Sequence, residues 1–246
     1  MIRKTVALVL LCIPAILMGQ ETKWSLYPIL GMDLGGAVPF PLSDIPHGSK
    51  GTPRLSPNIG IGTGYQLTDK WTVGAEVSYH ILAFSASADV KSQPFYSDDH
   101  TTTLYFSGHT KTDVELRFMQ FPVTAAYAIN STWTLTSGLY YSGILEGSFN
   151  TKGTKGVTSD DKSITDNATL PGIASATYSF DDNLDTWDAG LLLGCQYRLS
   201  PKVAIRTRMH FGFKSIFKKE FTNIDYEMYQ VRADVGVTIN LIGKNK

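Results

Sequence analysis

This chain of 246 residues has few cysteines, no formal net charge and few long apolar runs. It contains two cysteines, and Cys12 lies in an N-terminal segment that we expect to be removed. Only Cys195 would then remain, so no internal disulfide can form. Basic and acidic residues number 22 each, a balance that gives no indication of a nucleic-acid partner. Beyond the N-terminal segment, no apolar run reaches the length of about 18 residues typical of a membrane-spanning helix.

The N-terminal segment has the layout of a secretory signal peptide. Arg3 and Lys4 precede an apolar stretch at residues 5–18, and polar residues follow at once. This stretch is short for a transmembrane helix. We therefore expect residues 1–19 to be a signal peptide and residues 20–246 to form the mature domain. A buried N-terminal helix is the alternative.

The dominant pattern in the mature chain has a period of two. Across residues 231–241, apolar side chains occupy every second position, with Arg232, Asp234 and Thr238 between them. Successive side chains of a strand point to opposite faces, so this segment predicts a strand with one apolar and one polar face. The same alternation predicts eight strands, at residues 26–36, 55–67, 71–84, 111–129, 132–148, 184–199, 202–216 and 225–241.

One predicted strand changes phase. Val114, Leu116 and Phe118 alternate on one parity, whereas the apolar residues from Phe121 onward alternate on the other. An extra residue in the strand would bring both sets to the same face. We therefore predict a β-bulge at residues 119–120.

The predicted connections alternate between short turns and long polar loops. Three turns share one layout, an aromatic residue, an aliphatic residue and a short polar turn, at residues 65–71, 127–133 and 197–203. Longer connections are predicted at residues 37–54, 85–110 and 149–183, with a shorter one near 217–224. Transmembrane barrels have short periplasmic turns and longer extracellular loops. The turns would place an aromatic girdle at the inner membrane interface: Tyr65, Trp71, Tyr127, Trp133 and Tyr197.

These patterns predict an all-β fold, an eight-stranded antiparallel up-and-down transmembrane β-barrel with short periplasmic turns and long extracellular loops. A soluble lipocalin-type barrel also alternates, but its apolar face points inward. Here the polar face carries balanced, arginine-rich charge, which suits a crowded lumen where guanidinium and carboxylate groups pair. We predict a lumen filled by side chains, with a polar network of Glu76, Glu115, Arg117, Glu146, Asp188, Arg198, Arg206, Arg208, Arg232 and Asp234.

Residues 114–145, VELRFMQFPVTAAYAINSTWTLTSGLYYSGIL, resemble the middle of the PorT-like outer-membrane β-barrel family. The similarity lies in the aliphatic–proline strand end at residues 120–123, the tight turn, and the glycine–aromatic strand at residues 137–143. Residues 210–216 and 231–241 are similar to the family's last two strands. The resemblance implies an eight-stranded outer-membrane barrel, some of whose relatives assist a protein-secretion system. It implies no catalytic or binding residues.

One group of residues has the composition of a nucleophilic site. Glu76, Ser78 and His80 alternate on one strand and face the predicted lumen, and an acid, a serine and a histidine can cooperate in catalysis. Neighbours on one strand face stand about 6.6–7 Å apart, which is a poor geometry for such a site. We interpret the three as lumen-filling residues. We expect no catalytic residues, no cofactor and no metal.

The functional expectation is a non-enzymatic, monomeric protein of the cell outer membrane. It would contact outer-membrane lipid and have no nucleic-acid partner. Its outer loops would bind at the cell surface or support an envelope or secretion assembly, because loops on a rigid scaffold commonly carry function. The alternatives are a lipid-modifying barrel enzyme, a narrow channel and a soluble lipocalin-like ligand binder.

Overall fold

The computed structural model describes residues 23–40, 49–96, 103–163, 177–179, 183–220 and 227–242. The predicted signal peptide lies outside these residues. Within them no helix is long and apolar enough to cross a membrane. The described segments form ten strands: β1 (Trp24–Phe40), β2 (Lys50–Arg54), β3 (Ser56–Gln66), β4 (Trp71–Tyr96), β5 (Thr103–Ala128), β6 (Trp133–Ser159), β7 (Thr177–Ser179), β8 (Trp187–Arg198), β9 (Val203–Ser215) and β10 (Glu227–Ile239).

Eight of these strands close into a ring in the order β1, β3, β4, β5, β6, β8, β9, β10. Neighbours are antiparallel throughout, and β10 returns to pair with β1, from Ile29 opposite Thr238 to Phe40 opposite Glu227. The short strand β2 pairs with β4, and β7 pairs with β6. The prediction of an all-β antiparallel barrel is confirmed, and each of the eight predicted segments overlaps one strand of the ring.

Three strands are much longer than the sequence pattern predicted. β4, β5 and β6 contain 26, 26 and 27 residues. Parts of the predicted loops 85–110 and 149–183 continue as paired strand, and β2 lies within the predicted loop 37–54. The loop prediction was wrong there because a strand that leaves an apolar environment no longer needs an apolar residue at every second position.

The three short turns close in the same way, which explains their repeated sequence. In each, the N–H of the aliphatic residue donates at 2.9 Å to the carbonyl of the next strand's first residue: Leu67 to Trp71, Ile129 to Trp133, and Leu199 to Val203. The side-chain oxygen that follows the aliphatic residue then accepts from that strand residue's N–H, at 3.0 Å for Thr68, 2.8 Å for Asn130 and 3.1 Å for Ser200. Hydroxyl and amide side chains are favoured in turns for this bonding.

The ring carries its apolar face outward and its charged groups inward over most of its height. Large exposed side chains on its outer surface include Leu30, Ile59, Val77, Val123, Leu139, Leu193, Met209 and Val237. By contrast, Asp33 and Arg232 are at most 1% exposed inside it. A lipocalin has the opposite arrangement, so the soluble lipocalin-like alternative is rejected.

The bulge predicted in β5 was wrong. Ala75 lies opposite Val123 and Ser78 opposite Gln120, which is one continuous register with β4. The bulge lies in β6 instead: Arg117 faces Glu146 and Phe118 faces Ile144, so Leu145 is the extra residue. The same parity of β5 points into the barrel along the whole strand. Its apolar residues change parity because the inward positions are apolar up to Phe118, whereas from Phe121 onward the outward positions are apolar.

An apolar cluster seals the lumen at the end opposite the short turns. Its buried members come from the upper parts of several strands and the adjoining connections: Leu82, Phe84, Val114, Leu116, Phe118, Phe149, Leu184, Ile216, Phe217 and Met228. At this level the charged residues point outward instead. On β5 the barrel therefore has a polar core with an apolar exterior in one section, and an apolar core with a polar exterior in the other.

Candidate functional site

The polar core begins with a carboxylate held by two arginines. Glu76 of β4 accepts two hydrogen bonds from Arg208, at 2.6 and 2.7 Å, and one from Arg206 at 3.0 Å. The hydroxyl of Tyr27 donates to the same carboxylate at 3.1 Å. Such fork-shaped pairing satisfies a buried carboxylate well. Arg206 also lies 3.4 Å from Asp234, as an ion pair without hydrogen-bond geometry.

A second group centres on Arg232 of β10, which is 1% exposed. One of its terminal nitrogens donates to Asp33, and the other donates to the side-chain oxygen of Gln120 at 2.7 Å. Asn58 donates to Asp33 at 3.1 Å. Strands from opposite sides of the ring are thus joined through its centre, which makes this network a structural plug.

Two histidines complete the network, each through a hydrogen bond to a buried carboxylate. His80 Nδ1 lies 2.6 Å from Asp33 and His210 Nε2 lies 2.7 Å from Asp234, so these nitrogens carry the protons that the carboxylates accept. The other nitrogen of His210 can then accept from Arg232 at 3.2 Å. This assignment follows from the hydrogen-bond partners.

Ser78, His80 and Asp33 have the connectivity of a hydrolase triad. Ser78 Oγ lies 2.8 Å from His80 Nε2, and His80 Nδ1 contacts Asp33. The acid is therefore Asp33 of β1, whereas the sequence analysis considered Glu76. The expected poor geometry applies to Glu76, which pairs with two arginines instead. It was wrong for Ser78 and His80, which lie within hydrogen-bond distance of each other. Ser78, His80 and Asp33 are at most 2% exposed, so no substrate reaches the hydroxyl group.

The structure places six of the ten predicted network residues inside the barrel: Glu76, Asp188, Arg206, Arg208, Arg232 and Asp234. Asp188 accepts from the hydroxyl of Tyr140 at 3.1 Å. Asp33, Asn58 and Gln120 also belong to the network and were not among the predicted residues. Asp33 could have been found, since it lies within a predicted alternating strand, but its partners come from strands distant in sequence.

Four predicted network residues lie elsewhere. Arg117 points outward on β5 and pairs at 2.9 Å with both Glu115 and Glu146. Arg117 and Glu115 are half-buried on the outer surface, and Glu146 is exposed. The incorrect bulge in β5 had placed Glu115 and Arg117 on the wrong face, and the actual bulge in β6 turns Glu146 outward. Arg198 is exposed at the end of β8, beside the short turns.

The five predicted girdle residues all lie at the short-turn end. Trp71 packs on Tyr127 with ring centres 5.0 Å apart, and Trp133 packs on Tyr197 at 4.9 Å. Tyr65 packs at 4.9 Å on Trp24, which the sequence analysis missed. Each pair joins residues that lie directly opposite each other on neighbouring strands. Together they form an aromatic ring on the outer surface that covers six of the eight strands, all except β9 and β10.

A cavity of about 550 Å³ lies inside the ring at this same end. Its walls carry short polar side chains, its floor includes Tyr27 and Arg208, and charged residues surround its mouth. Among the described residues no group of histidine, cysteine and acidic side chains could hold a metal ion.

The sequence of residues 29–218 matches a family model described as Outer membrane protein beta-barrel domain. The barrel described above agrees with this match. The match is to this general family, and nothing in it is particular to PorT-like members. No curated protein matches the chain.

Solved structures similar to the chain include three outer-membrane proteins. Ail of Yersinia pestis is 10% identical, with 88% of this chain and 98% of that chain covered and a TM-score of 0.40. Neisserial surface protein A is 12% identical, with 89% and 98% covered and a TM-score of 0.41. OprG of Pseudomonas aeruginosa is 12% identical, with 90% and 95% covered and a TM-score of 0.36. Likenesses this low carry no functional argument.

Proposed function

Because the chain belongs to the outer membrane protein beta-barrel domain family and is located in the cell outer membrane, we propose that it is a non-enzymatic barrel that presents a binding surface outside the cell. The single observation that carries this proposal is the extension of β4, β5 and β6 as a paired sheet well beyond the apolar exterior. This surface would bind a partner or support an envelope or secretion assembly. We also propose, from the resemblance of residues 114–145, that the chain is a PorT-like member of this family.

The membrane boundaries follow from the outer surface. The lower boundary is the aromatic ring that contains Trp71 and Tyr127, and the upper one is the outward ion cluster of Arg117, Glu115 and Glu146. Ten residues of β5 separate Tyr127 from Arg117, which corresponds to about 23 Å of height at roughly 3.3 Å per residue and a tilt near 45°. This height agrees with the apolar band of about 25 Å seen on transmembrane barrels.

The inversion of polarity supports the same upper boundary. Just above Arg117, the inward side chains of β5, Leu116 and Val114, are apolar and its outward side chains are charged, as in a water-soluble β-protein. The paired part of β5 continues for 14 residues beyond this level, to Thr103, or roughly 30 Å at the same rise and tilt. A sheet of β2, β4, β5, β6 and β7 would therefore stand outside the membrane, with the short turns in the periplasm.

The orientation can be tested with a membrane-impermeant maleimide on intact cells, in a Cys195→Ala background. Lys152→Cys places a thiol on the extended part of β6, and Lys70→Cys places one in a short turn. We expect the first to be labelled on intact cells and the second only after the outer membrane is permeabilised. The reverse result would contradict the orientation.

The binding role can be tested by shortening the β4–β5 hairpin. Ala88 and Thr110 face each other, so replacing residues 89–109 with Asn-Gly would close the hairpin with a two-residue turn and leave the membrane section intact. A photo-crosslinking residue at exposed Lys111 should give a discrete protein adduct that this variant loses. Crosslinks that form equally from Leu139, on the lipid-facing surface, would refute the proposal.

A further inference from the structure

We infer that the cavity at the short-turn end is a binding site for the acidic end of an extended peptide. This inference concerns the opposite end of the molecule from the proposed binding sheet and does not depend on it. The cavity is built into the ring, because residues of all eight ring strands contribute to its wall or floor.

The cavity exists because the inward positions at this end are small. Its wall includes Ser25, Gly64, Thr72, Thr136 and Gln196, whereas the middle of the lumen is filled by arginine and histidine side chains. A β-carbon at Gly64 would lie 2.7 Å from Ser25 Oγ and 3.1 Å from Thr72 Cγ2, so the small side chains of Ser25 and Thr72 already occupy the wall around this glycine. The cavity is within the size range of ligand sites, about 300–1,000 Å³.

The buried group of Tyr27, Glu76, Arg206 and Arg208 lies at the inner end of the cavity, whose lining includes Tyr27 and Arg208. An extended chain that enters from the short-turn end would meet this group with its leading end. Hydroxyl and amide groups line the path as both donors and acceptors. That combination matches a peptide backbone, which carries one donor and one acceptor at most residues.

The mouth favours negative charge. Lys23, Lys70, Arg198 and Lys202 lie around it, and Asp69 is the single acid there among the residues that the structure describes. No ion pair joins Lys23 or Lys202 to an acid within the described part of the chain. A cleft lined by one sign of charge and walled by protein concentrates its field at the opening. A free terminal carboxylate next to acidic side chains would be attracted most strongly.

The test uses the full-length protein folded in detergent micelles and a fluorescent pentapeptide, Ala-Ala-Asp-Asp-Glu, with a free carboxyl end. Fluorescence anisotropy at low salt should detect saturable binding. The double variant Lys23→Gln/Lys202→Gln should weaken it roughly tenfold, the effect of two modest charge contributions. The matched control, Lys50→Gln/Lys152→Gln, removes two exposed lysines at the other end and should bind normally.

Two further measurements separate the cavity from its rim. Thr136→Trp fills the cavity and keeps every charge at the mouth, so it should abolish binding; Ala126→Leu is the milder second variant if the first does not fold. Full binding by a folded, filled variant would overturn the inference, since only the rim would then be involved. The uncharged counterpart of the pentapeptide is Ala-Ala-Asn-Asn-Gln with an amidated carboxyl end. If it binds as tightly as the acidic pentapeptide, the inference is also overturned. Equally tight competition by free succinate would assign the site to small carboxylates and overturn the peptide assignment.

Discussion

The network around Arg232 makes a quantitative prediction about stability. Arg232→Met removes the guanidinium group but keeps much of the apolar stem. The variant leaves Asp33, which is fully buried, without its only arginine partner among the described residues. It also deprives Gln120 and His210 of the donors that contact them at 2.7 and 3.2 Å.

The expected loss in the free energy of unfolding is about 3–5 kcal/mol, the usual effect of removing one partner from a buried ion pair. Most of this loss comes from the Asp33 carboxylate, which remains buried after its arginine partner is removed. Combining the change with Asp33→Asn should therefore cost less than the sum of the two single changes, by about 1–3 kcal/mol. His80 and Asn58 can still hydrogen-bond to the amide.

The assay is urea unfolding of the protein in lipid vesicles, followed by tryptophan fluorescence and by the gel shift on boiling. Arg117→Met is the matched control: it removes an arginine with two carboxylate partners, but on the exposed surface, where such pairs contribute little. Equal unfolding curves for Arg232→Met and Arg117→Met would refute the reasoning, as would strict additivity in the double variant.

Three further predictions follow from packing and burial. Gly190→Ala should destabilise the barrel by about 1–3 kcal/mol, because its β-carbon would lie 2.2 Å from the Phe211 carbonyl oxygen, whereas Gly143→Ala points into open space and should have little effect in the same unfolding assay. A fluorophosphonate probe should not label Ser78 in the folded protein, because the hydroxyl is sealed; labelling that disappears in Ser78→Ala would revive the enzyme hypothesis. Planar bilayers should show no stable conductance, because the polar network and the apolar cluster both fill the lumen; reproducible openings altered by Arg206→Gln would contradict this.

The incorrect bulge in β5 and the misplaced Glu115 and Arg117 share one physical cause. Alternation identifies two faces of a strand, and it does not say which face is inside when the chemistry of both faces changes along the strand. In β5 the apolar residues lie inside at Phe118 and outside at Phe121. A strand with one apolar face along its whole length would require a bulge here, which is why a bulge was predicted. That bulge misplaced Glu115 and Arg117.

The candidate sites were partly accessible from sequence. The girdle could be predicted because each short turn keeps its aromatic residues in adjacent, directly paired positions. The inward direction of Glu76, Arg206 and Asp234 followed from parity. Their partners did not, because a hydrogen bond across the lumen joins strands far apart in the chain, such as β1 with β4 and β4 with β9.

The sequence by itself determined that this protein is an antiparallel barrel, since a period of two and three matched turns depend only on local backbone geometry and local hydrogen bonds. Tertiary structure alone decided that Asp33 meets His80 and Arg232, that the bulge lies at Leu145, and that a cavity remains at the short-turn end. Those features depend on how closure of the ring aligns the strands across the lumen, and no local pattern encodes that alignment.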